Sequence, residues 1–255
     1  LHNLNFVFMK LLQRLGIVYI QTKFKLLTIL SKEKAAQKAF EVFGTPFLKS
    51  KSKAALKNAE NIELLLNGKK VKGYRWNHPR PGKILILHGF GSAAHKFESY
   101  AVLLAMHGFE VLAFDAPAHG GSEGVYTNAI EYSAMIEKVI AGYGPIQGFI
   151  AHSFGGISLS LALEKIQHTI NTKVVFIAPA TETTSAVDGA FNMLKLKNKE
   201  VRKEFDKIIK TISGKETAWF SMRRAMKNIN ANILWIHDEE DDITPWADAE
   251  KVKQD

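Results

Sequence analysis

From residue 62 onward, short apolar runs alternate with longer segments of helical period. The runs at 83–88, 109–115, 146–152, 173–178 and 231–237 are apolar through their centres rather than alternating, which predicts strands buried on both faces. The segments 94–107, 128–142, 154–168 and 246 onward place apolar residues at helical spacing and predict helices. Strands alternating with helices in this way predict an α/β domain: a mainly parallel twisted sheet with helices on both faces. Ahead of it, Ile62 to Leu66 and Val71 to Trp76 flank Asn67-Gly68, a turn signal that predicts a hairpin.

Two regions depart from that rhythm. Before Asn61, Leu11, Leu12, Leu15, Val18 and Tyr19 fall at helical spacing, and the helical pattern resumes over Lys32 to Phe43. Gly44-Thr45-Pro46 breaks it, and a lysine-rich connector runs to about Glu60. Residues 1–60 therefore read as an N-terminal helical appendage to a core at 61–255. Within the core, 180–230 is mostly helical where the next strand is due, with apolar faces built from Phe191, Leu194, Val201, Phe205, Ile209 and Trp219.

Composition narrows the chemistry. At 255 residues the chain is long enough for one large core. It has no cysteine, which excludes disulfides, thiolate nucleophiles and cysteine metal sites. The net charge is +9, concentrated in the lysine-rich stretches Lys23 to Lys72 and Lys195 to Lys215. Such a field suits an anionic surface or acidic ligand, but a solvated lysine-rich surface accounts for it more simply. No nucleic-acid motif accompanies the charge. In the apolar segment 4–30, Lys10, Arg14, Lys23 and Lys25 interrupt any run that would span a bilayer, and no cleavage site follows it. It reads as an amphipathic helix. Packing on its own domain is the first expectation, and peripheral contact with a membrane surface is the second.

Chemistry concentrates in Ala151-His152-Ser153-Phe154-Gly155-Gly156, directly after an apolar run. The string reads as a strand turning sharply into a helix with Ser153 at the apex, where small residues at 151 and 155 let the two backbones approach. An ordinary serine in a strand–helix loop fits the string equally well. Its company makes the difference. Upstream lie Ile84 to Leu87 followed by His88-Gly89-Phe90-Gly91-Ser92, then Val111 to Phe114 followed by Asp115-Ala116-Pro117-Ala118-His119-Gly120-Gly121-Ser122. Downstream, Ile233 to Ile236 leads into His237-Asp238-Glu239-Glu240-Asp241-Asp242-Ile243-Thr244-Pro245.

These four stretches, in this order, resemble the α/β-hydrolase superfamily in its lipase, esterase and acyl-hydrolase branch. The resemblance implies the α/β-hydrolase fold from about residue 62 onward, with 180–230 as a small helical lid over the serine. It implies an enzyme acting on a small-molecule ester, such as a lipid or acyl ester, without cofactor or metal. Ser153 becomes the nucleophile. The N–H of Phe154, at a helix N-terminus, and the N–H of Phe90 become the oxyanion donors. The acid lies four residues before a proline in the family pattern, so Pro245 selects Asp241, with Asp242 the competitor. The acidic run 238–242 lacks the alternating ligands and central glycine of a calcium loop.

The base is the missing member. The family order is serine, acid, histidine, yet all nine histidines precede Asp241. His88, His119, His152 and His237 each belong to another motif, and none is assigned as base. The expectation is that the base lies beyond residue 255. A non-catalytic binding or scaffold protein on the same fold is the alternative. A cytoplasmic location, with the peripheral membrane contact as an addition, is the corresponding expectation.

Overall fold

The computed structural model describes residues 16, 18–46 and 56–253. Leu11, Leu12, Leu15, Lys10, Arg14 and most of the lysine-rich connector lie outside the described residues.

The chain forms two compact units, 44–183 with 220–255, and 1–43 with 184–219. The first carries a seven-stranded sheet: β1 (Ala59–Leu66), β2 (Lys69–Trp76), β3 (Lys83–Leu87), β4 (Glu110–Phe114), β5 (Gly148–His152), β6 (Lys173–Ile177) and β7 (Asn232–Ile236). Their order is β1-β2-β4-β3-β5-β6-β7. β1 and β2 form the expected hairpin through Asn67 and Gly68, both at positive φ, and β2 runs antiparallel to β4. From β4 to β7 every pairing is parallel.

Side-chain alternation along the central strands builds two cores. Leu85, Leu87, Leu112, Phe114, Phe149 and Ala151 face one side. There they pack with Tyr132, Met135, Ile136 and Val139 of α4 (Ala129–Tyr143) and with Leu159, Ala162 and Leu163 of α5 (Phe154–Leu163). Ile86, Val111 and Ala113 face the other side and meet Ala101 of α3 (Glu98–Met106). Both faces are covered at these central strands, whereas Leu234 and Ile236 of the edge strand β7 are exposed, so the expectation of burial on both faces fails for 231–237. α8 (Met222–Met226) and α9 (Trp246–Lys253) complete this unit. Arg224 on α8 makes a paired ion bond to Glu164 at 2.6 and 2.7 Å, just past the end of α5.

The second unit is helical. It contains α1, described over residues 18–30, α2 (Lys32–Gly44), nearly all of α6 (Thr183–Met193), and α7 (Lys199–Ser213). Phe205 is its aromatic centre, with ring centroids 5.7 Å from Phe40, 6.0 Å from Phe43 and 5.2 Å from Phe191. Asn198 caps α7 by accepting from the N–H groups of Glu200 and Val201, and Gly214, left-handed at φ 70°, ends it. The N-terminal helices and the helices after β6 thus share one core. Among the described residues, no helix is long and apolar enough to cross a membrane.

Candidate active site

Ser153 sits between β5 and α5 with φ 51° and ψ −117°, a backbone conformation that L-residues rarely hold. The turn is held by neighbours: Ser153 N–H donates to Ile177 O at 3.1 Å, and its carbonyl accepts from Gly156 N at 2.8 Å and Ala180 N at 3.0 Å. Small residues are needed around it. A Cβ on Gly155 would lie 2.8 Å from Leu87 O and 2.9 Å from His88 O, so α5 crosses the end of β3 at backbone contact.

The loop after β3 presses on the same point. A Cβ on Gly89 would lie 3.0 Å from Ser153 Cβ and 2.8 Å from His152 Nδ1, which puts the neighbouring Phe90 backbone beside the serine. Phe154 opens α5, so its N–H belongs to the first helical turn, whose donors have no intrahelical acceptor. The Phe90 and Phe154 rings meet edge to face at 5.7 Å, and Phe90 is 41% exposed. Two aromatic side chains therefore flank the strained serine.

Two histidines hold this loop in place. His88 donates from Nδ1 to Gly89 O at 2.8 Å and accepts at Nε2 from Ala116 N at 2.9 Å. His119 donates from Nδ1 to Pro117 O at 3.0 Å and accepts at Nε2 from Gly91 N at 2.9 Å. Both ring nitrogens of each are committed, and both rings are fixed as the Nδ1–H tautomer. Burial pushes the His88 pKa down to about 3. Asp115 ties the β3 and β4 loops together, accepting from Ala94 N and Gly121 N at 2.8 Å each. Burial raises its pKa against those two bonds.

Asp241 lies in the loop after β7. Its Oδ1 accepts from Ile243 N and Thr244 N at 2.8 Å each, and its Oδ2 accepts from the Thr244 hydroxyl at 3.0 Å. Burial pushes its pKa up, but these bonds outweigh it and hold the carboxyl below its usual range. Asp242 is exposed and carries none of these bonds. Thr244 Oγ1 is also 3.3 Å from Ala178 O, and Ala178 N–H donates to Ile236 O at 2.7 Å, so the acid loop is anchored at the end of β6. His237 closes the loop from below, donating from Nε2 to Thr244 O at 2.6 Å and accepting at Nδ1 from Trp235 Nε1 at 3.3 Å.

His152 differs from the other three histidines. Its Nδ1 is buried with no hydrogen-bond partner among the described residues. Burial lowers its pKa, partly offset by the negative charge of Asp241. Thr244 and His119 were not singled out from the sequence as site-forming residues. The signal for Thr244 was its place three residues after an aspartate and directly before Pro245. His119 had no local signal, because its partner Gly91 is far away in sequence. Among the described residues, no group of side chains is arranged to hold a metal ion.

A parallel sheet with an antiparallel hairpin at its edge, and a serine strained at a strand–helix turn, define an α/β-hydrolase fold. The sequence agrees: residues 84–252 match the model of the alpha/beta hydrolase family, and the chain belongs to that family. No curated protein sequence matches the chain significantly. Among solved structures, esterase Pf2001 from Pyrococcus furiosus superposes with a TM-score of 0.59 at 19% identity, over 81% of this chain and 80% of that one. The esterase from Exiguobacterium antarcticum gives 0.53 at 17% identity, over 74% and 84% of the two chains. The thioesterase domain from the curacin biosynthetic pathway gives 0.55 at 14% identity, over 78% and 89%. At these identities the likeness is one of fold.

Proposed function

We propose that this protein is a serine hydrolase that cleaves a carboxylic ester through an acyl-enzyme on Ser153. The Ser153 oxygen attacks the ester carbonyl, and the negative charge on the former carbonyl oxygen is received by the N–H groups of Phe90 and Phe154. The tetrahedral intermediate collapses, the carbon–oxygen bond to the alcohol breaks, and the alcohol leaves with a proton. Water then attacks the acyl-enzyme and releases the acid. The role of Asp241 is to orient and stabilise the imidazolium of a histidine that takes the serine proton. Membership of the hydrolase family and the esterase-like neighbours support hydrolysis in general. The single observation that carries the serine mechanism is the φ 51°, ψ −117° conformation of Ser153. A strain of this kind persists only where the surroundings impose it, and a turn of this kind is the one that lifts a serine hydroxyl clear of a sheet.

One observation favours a second reading. His88, His119 and His237 commit both ring nitrogens to holding loops, which leaves them no nitrogen for Ser153. On that reading the protein is a non-catalytic member of the fold that binds a ligand in the same cleft. Intact-mass analysis after fluorophosphonate treatment separates the two. The hydrolase reading expects a single adduct that Ser153→Ala removes, together with loss of turnover of a short-chain aryl ester in that variant. Absence of both an adduct and turnover on folded protein makes the binding reading the correct one, and equal turnover by the variant overturns Ser153 as the nucleophile.

A further inference from the structure

We infer that the outward face of α1 is a docking surface for an anionic phospholipid bilayer. Val18, Tyr19, Leu26, Ile29 and Leu30 are respectively 56%, 69%, 60%, 77% and 80% exposed, while Phe24 is 2% exposed. At about 100° per residue, the five exposed side chains fall within an arc of roughly 120°, opposite Phe24. Lys25 borders that arc on one side and Lys23 on the other, both exposed. The rotation of the helix is fixed, because Phe24 is packed inward and Gln21 Nε2 donates to Met193 O at 2.8 Å. Exposed Thr22 also falls in the arc, with its hydroxyl donating back to Val18 O at 2.9 Å. A broad, mainly apolar stripe edged on both sides by lysines is the arrangement of a helix lying in the plane of a lipid interface, with the cations at headgroup level.

Charge selects the occupant. Beside the stripe, Lys25, Thr28, Ile29, Lys195 and Lys197 line a recess of about 280 Å³ whose charged lining residues are all lysines. The Thr28 hydroxyl in its wall is buried with no partner among the described residues. A second copy of this chain would set these lysines against their own counterparts, which is repulsive. A bilayer surface rich in acidic phospholipids supplies acyl chains for the stripe and phosphates for the lysines together.

Flotation of the full chain with lipid vesicles tests this, and it reads binding without reference to hydrolysis. The expected result is flotation with phosphatidylcholine vesicles containing about a third phosphatidylglycerol, weak flotation with phosphatidylcholine alone, and release as salt rises. Leu26→Ser/Ile29→Ser/Leu30→Ser and Lys25→Glu/Lys197→Glu alter only exposed or recess-lining positions. With unchanged circular dichroism, each is expected to lower vesicle affinity at least about tenfold. Leu103→Ser/Met106→Ser, on exposed positions of α3, is expected to leave it unchanged. Failure of the wild type to float with the acidic vesicles, equal flotation with neutral ones, or wild-type flotation of the triple-serine variant overturns the proposal. So does a dimer in sedimentation velocity that the triple-serine variant abolishes, because the stripe then belongs to a second copy.

Discussion

His88 shows what a single side chain near the elbow does. Its ring joins the loops after β3 and β4 through two backbone bonds that require the neutral imidazole. Burial holds its pKa at about 3, with the neighbouring rings of His119, His152 and His95 also opposing a second proton. The unfolded chain, at the ordinary value of about 6.5, binds that proton much sooner. The sign follows: between about 6.5 and 3 the unfolded state holds more protons, so His88 lowers the unfolding free energy as pH falls, by up to about 1.4 kcal/mol per pH unit. Above about 6.5 it contributes no pH dependence. Asp115 acts in the opposite direction, because burial raises its pKa and the folded state then takes its proton first as pH falls. A residue-resolved readout avoids that cancellation. The His88 imidazole is expected to remain neutral at pH 5 by nitrogen NMR, and protonation near pH 6.5 would contradict the role given to it.

At the scale of elements, the elbow depends on how closely α5 crosses β3. Gly155→Ala places a methyl 2.8 Å from Leu87 O and 2.9 Å from His88 O, and these acceptors belong to a strand and its end, which cannot swing aside. The expected cost is about 1–3 kcal/mol in denaturant unfolding, together with loss of fluorophosphonate labelling as the turn shifts. Gly142→Ala is the control. It lies in α4 with nothing within 4 Å of the added carbon, and is expected to leave both readouts unchanged or to stabilise slightly. Equal behaviour of the two variants would mean that close helix–strand contact does not shape the elbow. The elements themselves were largely legible. Central strands buried on both faces leave largely apolar runs, and β3 to β7 fall within one or two residues of the predicted ranges. The ends were less so, for tertiary reasons. The predicted helix 94–107 begins as a 3-10 turn at Ala94–Phe97, where Asp115 accepts the Ala94 N–H. The predicted helix 154–168 leaves α-geometry after Leu163, where Lys165 and Ile166 bond three residues back and Arg224 holds Glu164. The places of Ser153, Phe90, Phe154 and Asp241 at strand ends were legible because each sits in a short string that follows an apolar run. His119 and Thr244 act across loops, through geometry that no local string records.

For the molecule as a whole, the sequence pattern suggested an appendage at 1–60 and an insertion at 180–230, two features separated by more than a hundred residues. Their union in one core rests on contacts that no local periodicity encodes. Residues 1–43 and 184–219 form a unit whose interior is aromatic, with Phe40, Phe43 and Phe191 all converging on the fully buried Phe205. The sheet unit has its own cores on both faces, built from different residues. Two units with separate interiors respond separately to damage in one of them. Phe205→Ala removes the ring on which three others pack, and a buried Phe→Ala change of this kind costs about 3–5 kcal/mol. Hydrogen exchange by mass spectrometry is expected to show protection lost across 18–43 and 184–219, while β3 to β6 keep theirs. Fluorophosphonate labelling of Ser153, which depends on the β5–α5 turn and the loop after β3, is then expected to persist in the variant. Loss of protection spread evenly over both units would instead mean that the chain unfolds as one cooperative body, with the helical core as part of what holds the elbow in its strained conformation.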